Sequence, residues 1–186
     1  SLGRLAARPD MALADVARRS SLPIDIRRAG APIAGGGVFD FAIPRTTIVF
    51  PRARYYFITP YENDPSRVQA LNVGTSTEKV TRRELEAANL AVRDRLVADG
   101  WLAGHEVYRG REDIALHGGA RRGPEGRSWL KDGMVLDIEA RRLDDEKPGE
   151  DSATAGQWIQ FVELWPSRAY PGIDRLAFAP ATVAHR

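Results

Sequence analysis

The sequence predicts an α+β fold, with one long amphipathic helix packed on a largely antiparallel sheet and a β-meander in the C-terminal half. Two observations predict it. Residues 81–100, TRRELEAANLAVRDRLVADG, keep apolar side chains at helical spacing over about five turns. After Gly100 the period changes from helical to alternating, and the chain reads as strands divided by turn residues. With 186 residues, 43% of them apolar and 28% charged, the chain is long enough to bury the core of one domain. The expected organisation is an N-terminal helical segment over residues 1–20, following a removed signal or anchor, and a single α+β domain over 21–186. The opening SLGRLAARPD, without Met, motivates the first part.

Taken in order, Asp10 is the expected N-cap of a short helix over MALADVARR, with Arg18 and Arg19 at its C-terminal end. LPIDIRR reads as extended and GAPIAGGG (30–37) as a loop. A phosphate-cradling glycine loop needs a helix next, and VFDFAI is strand-like, so that chemistry is rejected. VFDFAI, TTIVF and ARYYFITPY are three extended runs, punctuated by Pro44, Pro51 and Pro60. Tyr55 and Phe57 share one face of the last run, Tyr56 and Ile58 the other; a strand buried on both faces is expected rather than a stacking platform. NDPSRVQALNVG reads as one or two helical turns, from Asp64 as cap to Gly74 as stop.

The long helix has Thr81 and Glu84 as a capping box, a stripe of Leu85, Ala88, Val92 and Leu96, and Gly100 as its stop. WLAGHEVYR follows as a strand. RSWLKDGMVLDIEARRL is a hairpin turning at Asp132-Gly133, with Met134, Leu136, Ile138 and Ala140 on one face. QWIQFVELW is a further strand, and the tail YPGIDRLAFAPATVAHR adds a short edge strand. Between the last two long strands, DDEKPGEDSATAG (144–156) is expected to be a mobile loop.

Composition excludes several chemistries. With no cysteine there are no disulfides, thiolate metal sites or cysteine nucleophiles. No apolar run reaches membrane-spanning length. The net charge is +2, from 27 basic and 25 acidic residues, too even for a nucleic-acid field. The nearest basic-aromatic stretch, Arg52, Arg54, Tyr55 and Tyr56, has Glu62 and Asp64 close by. There is no G-x-S-x-G nucleophile turn. GHEVYRGREDIALHGG (104–119) holds two of the three histidines, but on a strand His105 and Glu106 point to opposite faces. Arg109 stands where a zinc-protease helix would carry its second histidine, so neither metal nor other cofactor is expected. If the chain is an enzyme or small-ligand binder, its pocket is expected to draw on His105, Glu106, Asp113 and His117. Glu106, Asp137, Glu139 and Glu163 lie on predicted strands and are expected to form a solvated face with the arginines.

The stretch ARYYFITPYENDPSRVQALNVG (53–74) resembles part of certain small proteobacterial lipoproteins of unknown function. The residues carrying the likeness are Tyr55, Phe57, Arg67, Val68, Leu71 and Gly74, within 22 of the 186 residues. The resemblance implies a periplasm or cell-envelope location and the class of immunity or accessory proteins that accompany secreted effectors; the absence of cysteine fits the periplasm and, as the alternative, the cytoplasm equally well.

The functional expectation is a non-enzymatic protein that binds another protein. Asp145, Glu146, Glu150 and Asp151 are the expected contacts, presented to a basic-surfaced partner. A His/carboxylate pocket and a structural role in an envelope assembly are the alternatives.

Overall fold

A computed structural model describes residues 2–27, 30–74, 80–106 and 128–181. The described elements are β1 (Gly3–Ala6), α1 (Leu13–Arg19), β2 (Ile33–Ala42), β3 (Val49–Pro60), β4 (Val68–Gly74), α2 (Arg82–Ala98), β5 (Leu102–Glu106), β6 (Ser128–Lys131), β7 (Met134–Arg142), β8 (Trp158–Pro166) and β9 (Leu176–Pro180). Two single 3₁₀ turns, Ser167–Ala169 and Ile173–Arg175, precede β9.

These strands form one sheet in the order β1-β2-β3-β4-β8-β7-β6-β5-β9. β1 and β2 are parallel and every other neighbouring pair is antiparallel. The fold class is therefore not a long helix on an antiparallel sheet. It is a nine-stranded mixed sheet, among the described residues, with two helices of 7 and 17 residues. The physical reason lies in the N-terminal half, where strand formation is set by long-range pairing that no local period announces.

Four segments illustrate it. Residues 3–6, expected within a helical segment, pair with Phe39–Ala42. The glycines of 35–37 belong to β2, and the space left at Gly35 is taken by the ring of Tyr56 on the adjacent strand. TTIVF and ARYYFITPY join as one strand, kinked at Arg52, whose φ is 57°. The expected helical turns after Asp64 are a turn followed by β4: Arg67 N–H donates to the Asp64 carbonyl, and β4 then pairs with both β3 and β8. A central strand with Val68, Leu71 and Val73 buried outweighs a weak helical signature.

Other expectations hold locally. α2 begins at Thr81 with both capping-box hydrogen bonds formed. It buries Leu85, Val92 and Leu96 against β7 and β8, while Ala88 is exposed. Each buried aliphatic contributes about 2 kcal/mol and the cap about 1 kcal/mol, so packing holds this helix more than its terminus does. Asp132 and Gly133 turn the β6–β7 hairpin with φ of 49° and 73°. β5 to β8 are successive neighbours, and among the described residues β9 is an edge strand.

The sheet curls around α2. The β2–β3 turn and the β6–β7 turn are remote in strand order, yet both reach the end of α2. Thr47 donates to the Asp99 carboxylate through its N–H (3.1 Å) and its hydroxyl (2.8 Å). Lys131 Nζ lies 3.1 Å from the same carboxylate, and Trp101 Nε1 donates to it at 2.8 Å. The core runs without a break from Leu5 and Phe39 through Val92 and Leu96 to Trp129 and Leu164. At the β1 edge, the amides of Arg4 and Ala6 donate to the hydroxyls of Ser21 (2.7 Å) and Ser20 (3.0 Å). No described helix is long and apolar enough to cross a membrane.

Candidate functional site

His105 sits on β5, partly buried, on the face of Ala103. The Glu106 side chain, Asp113 and His117 lie outside the described residues. Among the described residues no three His, Asp or Glu side chains converge as a metal ion requires.

The acidic loop is built around Arg142. Its guanidinium donates to Asp144 (3.1 Å), to Glu150 (2.8 Å) and to the Asp145 carbonyl (3.0 Å). Asp151 accepts from the Ala153 amide at 2.9 Å. The hydrogen bond from Arg142 holds the Glu150 carboxyl below its ordinary value; the Gln157 amide, then Arg142, does the same for Asp144. Of the four expected contacts, Glu150 is thus already paired, while Asp145 and Glu146 are exposed.

The outer sheet face, opposite α2, differs from the expected solvated charge face. Asp137 on β7 is the direct cross-strand partner of Glu163 on β8. Both Asp137 oxygens are taken, by Ser128 Oγ at 2.6 Å and by the Tyr170 hydroxyl at 2.5 Å. Burial raises the Glu163 carboxyl, and the nearby Asp137 and Glu139 charges add to it against the opposing effects of Trp165 and Arg141. Ser128 is 3% exposed and gives its proton to a carboxylate, so it is not set up as a nucleophile.

The same face carries aromatics. Arg141 stacks 3.7 Å above the centre of the Phe161 ring and donates to Glu139 at 2.6 Å. Phe161 aligns with Gly74, and Gly74 with Tyr55, whose ring occupies the space a side chain at 74 would need. Tyr55 and Phe57 are 37% and 38% exposed, so β3 is not buried on both faces. Period-two alternation separated these residues from Tyr56 and Ile58, but it carries no sign for which face is covered.

A cleft of about 420 Å³ opens where the chain before α1, the β2–β3 turn and the β6–β7 turn converge. Arg8, Arg19, Arg45 and Arg67 line it, with Asp10, Asp15 and Asp132. Asp10 is not the expected helix cap. α1 is capped at Ala12 without a side-chain bond. Asp10 instead accepts both arms of Arg168 (2.8 and 2.7 Å) and the Tyr61 hydroxyl (2.5 Å). The Arg168 hydrogen bond, outweighing burial, holds the Asp10 carboxyl below its ordinary value. Burial and then the Asp10 hydrogen bond push Tyr61 up to about 12. Sequence reasoning missed this cluster, since Asp10 and Arg168 are 158 positions apart.

No known protein family, curated protein or solved structure matches this chain.

Proposed function

We propose that the chain is a non-enzymatic protein-binding protein that uses its outer sheet face. The observation that carries this reading is the exposed pair Tyr55 and Phe57, side by side on β3. Exposed aromatics ringed by polar groups are the usual anchors of protein interfaces. Their rim is Asn72, Glu139 and Arg141. The row Tyr55–Gly74–Phe161 lies three positions from Trp158, where the chain returns from the acidic loop. Exposed Asp145 and Glu146 therefore border the same end of the sheet, and a partner with a basic rim around an apolar pocket complements both. The lipoprotein resemblance adds the class of partner: a secreted effector met in the cell envelope, with this chain as its immunity or accessory protein.

The test is affinity capture from native cells, comparing the wild type with the double variant Tyr55→Ser, Phe57→Ser. A stoichiometric protein held by the wild type and lost by the folded variant supports the reading. A partner retained by the variant moves the interface elsewhere.

A further inference from the structure

The cleft at the converging turns has a charge balance that the protein-binding reading does not use. Asp10 is committed to Arg168 and Tyr61, and Asp15 accepts from Arg18 at 2.8 Å. Arg67 has Asp64 at 3.5 Å. Arg8, Arg19 and Arg45 complete the basic lining, Arg19 near Asp15 and Arg8 near Asp132, and Asp132 is the one carboxylate of the lining without a side-chain hydrogen bond or ion pair among the described residues. Arg8 donates to the Pro44 carbonyl at 3.1 Å, which fixes one side of its guanidinium next to Arg45. Burial, and then the Arg45 charge, lower the Arg8 pKa from its ordinary value. The Asp132 and Asp10 charges only partly offset that effect, and two arginines on one cleft lining favour an added anion.

Among the described residues four non-glycine residues have left-handed φ, and three of them, Asp10 (68°), Arg45 (66°) and Asp132 (49°), line the cleft. Asp132 is explained by its hairpin turn. Arg45 is the third residue of a tight turn, after Pro44, in which the Thr46 N–H donates to the Ile43 carbonyl at 3.3 Å, and that turn sets its left-handed φ.

We propose that this cleft binds the dianionic head of a small organic phosphomonoester. Three guanidiniums against one free carboxylate leave an excess of positive charge that a single carboxylate ligand does not balance. A phosphomonoester carries roughly −1.5 to −2 at pH 7 and offers three acceptor oxygens to planar guanidinium forks. The volume exceeds what a bare phosphate fills, and the remaining lining, Pro9, Met11 and Met134, suits an apolar body. The inference does not depend on the outer face, and the two fail separately.

The test is calorimetric titration of the full chain at low ionic strength with phenyl phosphate, inorganic phosphate, benzoate and succinate. Phenyl phosphate is expected to saturate one site at about 1 mM or tighter, and to bind at least about tenfold more tightly than benzoate or succinate. Arg45→Gln, on an exposed turn, is expected to weaken it by about tenfold or more with the thermal transition retained. Asp132→Asn keeps a residue suited to the left-handed turn and removes the opposing charge, so binding is expected to tighten by about threefold. No saturation by phenyl phosphate, equal binding of succinate, or affinity indifferent to both substitutions overturns the proposal.

Discussion

Asp10 and Asp99 do the same topological job in opposite settings. Each carboxylate accepts several donors and joins segments remote in the chain: Asp10 the N-terminal loop to Arg168, Asp99 the end of α2 to Thr47 and Lys131. The Asp99 side chain is 6% exposed, and two of its donor side chains, on Thr47 and Trp101, are uncharged. Asp10 is 43% exposed and its arginine partner 64%. The count of hydrogen bonds therefore does not measure a carboxylate's importance. What matters is whether its partners can turn to water when it is lost. Around Asp99, the buried Trp101 indole N–H would lose its acceptor, and Lys131 would keep only the Asp99 backbone carbonyl, to which it also donates at 2.5 Å. Around Asp10, Arg168 would be solvated at once.

The largest expected effect is therefore at Asp99. Asp99→Ala is expected to cost about 3 kcal/mol or more, read as a lower urea midpoint. If Asp10→Asn, which keeps a residue tolerant of left-handed φ, cost as much, solvation of the released partners would not be what separates the two sites. Its expected cost is about 1 kcal/mol or less.

A pH series sharpens the same contrast. Burial works to raise the Asp99 carboxyl, but the hydrogen bonds from Thr47, Lys131 and Trp101 prevail and its pKa is lowered. A carboxyl lowered in the folded state contributes stability that is present above its unfolded pKa and lost as pH falls through the folded value. Both aspartates thus add to acid unfolding below about pH 4. The acid limb should flatten visibly in Asp99→Ala and barely in Asp10→Asn.

Asp10 has a spectroscopic signature of its own. Tyr61 ionises near 12, raised first by burial and then by Asp10. Asp10→Asn should bring that ultraviolet titration part of the way back toward 10. An unchanged midpoint would mean burial alone sets it.

The smallest effect has the opposite sign. Glu163 is raised in the folded state, chiefly by burial. Between its unfolded and folded values the native state binds the extra proton, so stability falls as pH rises through that window. Glu163→Gln should be slightly stabilising at pH 7, by about 1 kcal/mol or less, and neutral at pH 4. Destabilisation at pH 7 would show that the Trp165 hydrogen bond outweighs burial.

The sequence was legible where local chemistry decides structure. Thr81 and Glu84 announce the start of α2, and Asp132-Gly133 announce a hairpin. It was misleading where pairing partners decide. Val68 to Gly74 becomes a strand because β3 and β8 flank it, and Gly35 joins β2 because Tyr56 needs its space. The candidate cleft was the least legible. Arg8, Arg45 and Asp132 come from three separate turns, and their meeting depends on how far the sheet curls. Asp10 was readable only as a helix cap, the role its residue type most often fills.

The serine hydroxyls on the outer amides of β1 bear on how copies of this protein meet. Endless strand-to-strand stacking, the route to fibrils, requires a free border on both flanks of every subunit. Ser20 and Ser21 close one flank from within the chain. With that flank closed, pairing along β9, the outermost described strand on the other side, would join two copies about a twofold axis rather than build a fibril.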